Sequence, residues 1–142
     1  MTSDLYHRRI IEAAKRAREQ GRLAAAEVTV TRDNPLCGDR ITLDLRLEDG
    51  RIAALGHRTR GCLLTEAAAA ILTERAPGTS PETLRRAHRD LRRLLAGEEG
   101  DPVWPELAVF RPVVEVKSRH ECVLLPFEAV EEALAAASGE AS

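Results

Sequence analysis

The chain has 142 residues, 44% of them hydrophobic and 31% charged, with a formal net charge of −2. These totals predict one folded domain over residues 1–142 and exclude a disordered chain, and the lack of a basic balance argues against nucleic-acid binding. No basic-then-apolar signal peptide begins the chain and no apolar run approaches the length of a membrane span, so we expect a cytoplasmic protein that binds no membrane.

The first predicted element is a helix. It covers residues 3–20, with an apolar stripe on one face and charges opposite, and Ser3 or Asp4 caps its start. Gly21 ends it. Three strands follow, because apolar and polar residues alternate, and a tight Asp49-Gly50 turn joins the last two in a hairpin. The strands are expected at about residues 26–32, 41–48 and 51–60.

The next part of the chain predicts two helices. A helical stripe begins at Leu63, and Pro77-Gly78 stops it. Ser80 then serves as the N-cap of a second helix, because a proline follows it at the first helical position. Gly97 closes this helix.

The last part of the chain is expected to be irregular and then helical. Several prolines leave room for at most one short helix, at about residues 105–110. Ser118 begins a capping-box pattern, which predicts that the closing helix starts at about Arg119. Pro126 either kinks this helix or begins a second one, because its ring clashes with the carbonyl four residues earlier. Residues 139–142 are expected to form a tail.

Three cysteines and one aspartate lie at the boundaries of these elements rather than on the apolar stripes. Cys37 and Asp39 flank Gly38 before a strand, and Cys62 and Cys122 each stand at a helix start. The strand pair places Cys37 and Cys62 at the same end of its hairpin. Three thiols and a carboxylate make four donors, the number that a tetrahedral metal takes. The alternative is that the cysteines are small buried apolar residues.

The surroundings of these cysteines favour thiolate chemistry over disulfides. Cytoplasmic cysteines are normally reduced, and an odd number of them supports this interpretation. Helix starts favour negative charge, so we expect lowered thiol pKa values for Cys62 and Cys122. A nearby arginine, Arg40, Arg60 or Arg119, would balance the negative charge of the site.

The four histidines are weaker candidates for ligands. His7 and His88 lie among charged residues in helices and are expected to be exposed, whereas His57 could face either way from its strand. His120 is two residues before Cys122, and it is either a solvent-facing residue or an alternate ligand. No glycine-rich phosphate loop and no Ser/His/Asp arrangement is found in the sequence.

Taken together, the cysteine motifs resemble a known family. Asn-Pro-x-Cys-Gly-Asp before a strand pair, Gly-Cys at a helix start and Arg-x-x-Cys near the end resemble the SufU/IscU/NifU-type iron–sulfur cluster assembly proteins, over nearly the whole domain. Cys122 follows Cys62 by 60 positions, which resembles the SufU branch. Glu121 rather than histidine precedes Cys122, and the Leu-Pro-Pro-Val-Lys chaperone signal of IscU-type scaffolds is absent from the sequence.

The resemblance implies a fold and a set of site residues. The fold would be α+β, SufE/NifU-like, with helices from both ends of the chain covering a small three-stranded antiparallel sheet. The implied ligands of Zn²⁺, or of iron or a transient [2Fe–2S] cluster, are Cys37, Asp39, Cys62 and Cys122. Cys122 would also be the acceptor of persulfide sulfur from a SufS-type cysteine desulfurase, with downstream iron–sulfur assembly proteins as further partners.

The leading interpretation is therefore a zinc-binding sulfur acceptor that works with a desulfurase rather than as a stand-alone enzyme. One alternative is a scaffold on which a [2Fe–2S] cluster is built and transferred. Another is a small domain with a structural zinc ion and a protein-binding role. A zinc hydrolase is the remaining alternative, because displacement of Asp39 would open a metal position for water.

Overall fold

The computed structural model describes residues 2–138, so the expected tail at 139–142 lies outside the described residues. The elements are α1 (Thr2–Glu19), β1 (Val28–Asn34), β2 (Asp39–Glu48), β3 (Arg51–Arg60), α2 (Leu63–Arg75), α3 (Pro81–Leu95), two 3₁₀ helices (Pro105–Glu115 and Lys117–Arg119) and α4 (His120–Ser138). This α+β arrangement confirms the predicted fold class. A single domain over residues 1–142 stays a prediction.

The three strands form one antiparallel sheet in the order β1-β2-β3, as predicted. The central strand β2 buries Ile41, Leu43 and Leu45 on one face, in agreement with its alternating pattern. The β2–β3 turn has positive φ angles at both Asp49 and Gly50, the conformation that suits a tight two-residue hairpin.

The helices cover the apolar face of this sheet. Helix α2 packs on β3 and α4, and α4 packs on β1 and β2. Helix α1 lies against the other side of α2. Because α2 is enclosed by neighbours, its four alanines, residues 67–70, are all buried, and their small size lets the helices approach closely. No helix between residues 2 and 138 is long and apolar enough to cross a membrane.

The connection from α1 to β1 crosses the opposite face of the sheet. It passes so close to β3 that a Cβ atom at Gly56 would lie 2.6 Å from the Leu23 backbone nitrogen, which explains the glycine. The buried Asp44 carboxylate accepts hydrogen bonds from Arg22, Thr29 and the Leu23 N–H group. Burial would raise the pKa of Asp44, but these hydrogen bonds outweigh burial and lower it.

The residues predicted to cap two helices do not have that role in the structure. Helix α1 begins at Thr2, so neither Ser3 nor Asp4 precedes it as a cap. The closing helix begins at His120, one residue from its expected start, but Ser118 lies in a 3₁₀ turn before it, so the predicted capping role of Ser118 is wrong. Short polar side chains favour turns as well as caps, so the sequence pattern does not separate the two.

The proline-containing segments are more regular than expected. A 3₁₀ helix runs from Pro105 to Glu115 and passes through Pro112, where only a short helix near residues 105–110 was expected. Helix α4 likewise continues through the buried Pro126 as one element, so a second helix beginning there is wrong. The packing of α4 on β1, β2 and α2 stabilises the helix against the local cost of the proline.

Candidate metal centre

Cys37 lies on the turn that joins β1 to β2. The last strand pair is Asn34 with Asp39, so four residues form the turn. The Asn34 side-chain oxygen accepts the Leu36 N–H group at 3.2 Å, and its backbone carbonyl accepts those of Cys37 and Gly38 at 3.2 and 2.9 Å. Gly38 has a φ angle of +73°, which glycine adopts without strain. This turn presents Cys37 to solvent.

Asp39 is the first residue of β2 and is 2% exposed. Its Oδ1 atom accepts the Cys62 N–H group at 3.1 Å, and its Oδ2 atom accepts the Thr65 hydroxyl at 2.9 Å. Cys62 is the N-cap of α2 but makes no capping bond with its own side chain, so Asp39 caps the helix from the neighbouring strand. A side chain at position 61 would overlap the Asp39 carboxylate, so Gly61 is needed for Asp39 to reach the Cys62 N–H group.

Thr65 is a site residue that the sequence analysis did not single out. It is fully buried in the first turn of α2, and its hydroxyl also lies 3.6 Å from the Cys62 sulfur. The available signal was a threonine three residues after a helix-starting cysteine, where a side chain can reach back over the helix start. Thr65 therefore fixes the orientation of Asp39 from behind the donor atoms.

Cys122 lies in the first turn of α4, as expected, but it is fully buried. Its thiol donates to the Cys37 sulfur across 3.3 Å, and the two sulfurs and an Asp39 carboxylate oxygen all lie within 4.8 Å of one another. Burial first, and then the contacts with Asp39 and Cys37, raise the pKa of the Cys122 thiol. The expected lowering of this pKa is wrong, because desolvation at this helix start outweighs the favourable field of the helix.

Cys62 stands beside this three-donor group without belonging to it. Its backbone is fixed by the bond to Asp39, while its sulfur faces the Thr65 hydroxyl. All three cysteines are free. The structure thus brings Cys37, Asp39 and Cys122 together and leaves the fourth predicted donor adjacent to them.

One of the three candidate arginines faces the sulfurs. The pKa of Arg119 is raised, chiefly by the charge of Cys62 and next by its closeness to Cys122. Arg40 instead pairs with Asp33 at 2.7 Å on the outer side of the sheet. Arg60, the third candidate, lies on β3 and is exposed.

The two histidines on helices α1 and α3 have opposite environments. His7 is exposed, as expected, but His88 is 4% exposed and pairs with Glu131 of α4. The expectation of an exposed His88 is therefore wrong. It shares the inward face of α3 with Leu84 and Leu91, four and three residues away. The charged residues next to it in the sequence led to the expectation of an exposed side chain.

The other two histidines are held by hydrogen bonds away from the donors. His57 is buried, with Nε2 at 2.8 Å from the Gln20 side-chain oxygen and Nδ1 at 2.8 Å from the Thr59 hydroxyl, and burial lowers its pKa. His120 Nε2 donates to two carbonyls of the longer 3₁₀ helix, at 3.0 and 3.2 Å. In this arrangement His120 is neither a ligand nor fully solvent-facing.

The donor atoms fit a zinc ion. Two thiolates bound to one tetrahedral zinc ion lie about 3.8 Å apart, so a small spreading of the 3.3 Å sulfur pair would admit it. A carboxylate oxygen is also a ligand that zinc accepts. Asn34 pairs with Asp39 across the strands, and its buried Nδ2 atom has no hydrogen-bond partner among residues 2–138. This N–H group is a hydrogen-bond donor and not a metal ligand.

Comparison with known proteins gives one family and a set of relatives. The model of the NifU-like N terminal domain matches residues 5–96. The iron–sulfur cluster assembly scaffold protein IscU of Thermotoga maritima is 27% identical over 131 residues, covering 92% of each chain. The zinc-dependent sulfurtransferase SufU of Bacillus subtilis is 26% identical over 137 residues, covering 95% of this chain and 92% of that protein.

Solved structures share the fold. A NifU-like protein (N-terminal) from Brucella abortus superimposes with a TM-score of 0.88 at 28% identity, covering 97% of both chains. A putative SUF-system scaffold protein from Fervidobacterium islandicum has a TM-score of 0.82 at 24% identity, covering 89% of this chain and 93% of that one. The second likeness bears on the fold alone.

Proposed function

This chain belongs to the family of NifU-like N-terminal domains, and on that premise we propose that it is a zinc-binding sulfur acceptor in iron–sulfur cluster assembly. The sulfur donor is a SufS-type cysteine desulfurase, and the sulfur passes on to downstream assembly proteins in the cytoplasm. The observation that carries this proposal is a group of two sulfurs and a carboxylate in which one thiol is exposed. Likeness to a SufU described as a zinc-dependent sulfurtransferase supports it and favours the SufU branch.

Four side chains hold the metal in this proposal. Cys37, Asp39 and Cys122 need only small movements, because their donor atoms already lie within 4.8 Å of one another. Cys62 joins them by rotation about its χ1 angle, since its backbone is held in place by Asp39. A bound zinc ion supplies positive charge that keeps cysteine ligands as thiolates. Arg119 faces the same sulfurs and adds to this charge.

We place sulfur acceptance on Cys37, in place of the Cys122 implied by the family resemblance. Cys37 is exposed, whereas Cys122 is fully buried and out of reach of another protein's active site. Leu36, next to Cys37, is 88% exposed, and a large apolar side chain of this kind suits a partner contact.

The transfer step is a thiol–disulfide exchange. The Cys37 thiolate attacks the terminal sulfur of the donor's cysteine persulfide and forms a new sulfur–sulfur bond. The donor's sulfur–sulfur bond breaks, and its cysteine leaves as a thiolate. One sulfur atom moves without net oxidation or reduction, so no further reactant is needed.

A cluster scaffold is the second candidate function. Resident iron–sulfur clusters usually have thiolate ligands only, so the Asp39 carboxylate favours a cluster that is later released. Similarity to IscU, described as a scaffold protein, supports this candidate. The same four side chains would then hold a [2Fe–2S] cluster during its assembly.

Metal and sulfide analysis of protein purified without oxygen separates these functions. A sulfur acceptor should contain about one zinc ion per chain and little sulfide, and should stimulate a desulfurase while taking up its sulfur. Stoichiometric iron and sulfide, with visible absorbance, would favour the scaffold. Loss of the fold on zinc removal would support a structural zinc ion instead. Cys37→Ser is the matched variant, and it should abolish sulfur uptake.

A further inference from the structure

A groove lined by arginines runs along β3. It has a volume of about 550 Å³, and the end of α1, the connection after it, β2 and β3 form its walls. No acidic residue lines this groove, although the whole chain has a net charge of −2. Its five arginines define what we call the arginine groove: Arg18, Arg22, Arg40, Arg58 and Arg60.

Three of these arginines are neutralised from outside the groove. Arg18 pairs with Glu66 at 2.9 Å. Arg22 pairs with Asp44 at 2.6 Å, and Arg40 pairs with Asp33 at 2.7 Å. Arg58 and Arg60 are exposed, and neither has an ion-pair partner in the described part of the chain.

Strand register places one of these free charges beside a neutralised one. Arg60 lies directly opposite Arg40 in the β2–β3 pair, and Arg40 already pairs with Asp33, so the uncompensated charge at this position is that of Arg60. An anion in the groove could pair with Arg58 and Arg60 without displacing an existing ion pair. The groove is therefore electrostatically complementary to a negatively charged partner.

The edge of β3 favours an extended polypeptide over a small anion. β3 is an edge strand of the described sheet, and the His57 N–H group points outward to the Gly21 carbonyl at 3.1 Å. Backbone direction repeats every two residues, so the Thr59 N–H and C=O groups also point outward, and Thr59 lines the groove. A passing extended chain can form main-chain hydrogen bonds at this position, as in strand addition.

We propose that the arginine groove docks an extended acidic segment of a partner protein. The groove ends beside the metal centre, because Arg60 is followed by Gly61 and Cys62, and Arg40 follows Asp39. A partner held there is anchored next to the thiols. This docking site is separate from the chemistry of Cys37, so it does not depend on the proposed sulfur transfer.

Fluorescence anisotropy with a labelled peptide of alternating glutamate and valine tests the proposal. Full-length protein should bind it saturably and more weakly as salt increases, and should not bind the lysine–valine counterpart. Arg58→Glu with Arg60→Glu should weaken binding at least about tenfold. Arg85→Glu with Arg89→Glu, an equal charge change at exposed positions on α3, should leave binding within about twofold of the original.

Three outcomes would overturn the proposal. They are no saturable binding of the acidic peptide, equal loss in both double variants, and binding of inorganic pyrophosphate that the peptide cannot displace. The last outcome would assign the groove to small anions. Sulfur uptake by Arg58→Glu/Arg60→Glu from a small persulfide should be unchanged, which distinguishes failed docking from failure of the proposed function. Unchanged circular dichroism of both double variants checks that they fold.

Discussion

The β1–β2 turn and the first turn of α4 each bring one sulfur to the same site, but into opposite environments. Their sulfur atoms, on Cys37 and Cys122, are 3.3 Å apart, yet the first residue is exposed and the second is fully buried. The turn is held by its own local hydrogen bonds, whereas the α4 turn is enclosed by the sheet and α2. In the proposed function the two residues therefore have different roles, with exposed Cys37 accepting sulfur and buried Cys122 retaining the metal.

The largest expected difference between the two turns is in chemical reactivity. In folded, chelator-treated protein, iodoacetamide should modify Cys37 at least about a hundredfold faster than Cys122, because alkylation requires access to the thiolate. Peptide mass spectrometry at timed quenches measures both rates. In urea the two rates should converge. Equal rates in the folded protein would remove the distinction between the turns.

Gly61→Ala tests whether zinc affinity depends on the position of the buried Asp39 carboxylate. The added methyl group overlaps the carboxylate, so zinc affinity should fall by about a hundredfold, measured by competition with a chromophoric chelator. Gly21→Ala is the matched control, because its Cβ atom would meet nothing within 4 Å. Full zinc affinity in Gly61→Ala would show that Asp39 is not needed where the structure places it.

Thr65→Val removes a hydroxyl that supports Asp39 while nearly preserving side-chain shape. Zinc affinity should fall about tenfold, and the absorption bands of the cobalt-substituted protein should shift, because an outer partner orients the ligand. Thr65→Ser should restore both. Thr73→Val is the control, since the buried Thr73 hydroxyl has no hydrogen-bond partner among residues 2–138. A similar loss in the control would point to general loosening of α2.

The smallest expected difference between the two turns is in folding stability. In chelator-treated protein, Cys122→Ser should lower the free energy of unfolding by about 1 kcal/mol, because a more polar group replaces a buried thiol. Cys37→Ser should change it by less than about 0.5 kcal/mol, as is usual at exposed positions. Urea titration measures both. A reversed order would contradict the burial that separates them.

The fold was predictable where the signals are local. Alternation along β2 and the Asp49-Gly50 turn predict the hairpin, and the helical stripes predict α2 and α3. The cysteine positions at element boundaries also identify the candidate donors. What was missed depends on packing between distant segments. The burial of Cys122 comes from α4 lying on the sheet, and that of His88 from the packing of α3 on α4, where it contacts Phe127 and pairs with Glu131.

The residue that supports Asp39 in the metal centre could not be predicted from local sequence signals either. Thr65 contacts Asp39 only because β2 places that carboxylate at the start of α2. No periodic pattern in the sequence predicts a contact between these two segments. The arginine groove likewise assembles residues from α1, β2 and β3 that are separated in sequence.

Mapping the first persulfide formed on the protein is the most direct measurement of which turn is reactive. A cysteine desulfurase would be charged with labelled cysteine, mixed with this protein, quenched within the first turnovers by alkylation and examined by peptide mass spectrometry. The added sulfur should be on Cys37, with Cys122 unmodified. A first persulfide on Cys122, with Cys37 free, would contradict the assignment of sulfur acceptance to the exposed turn.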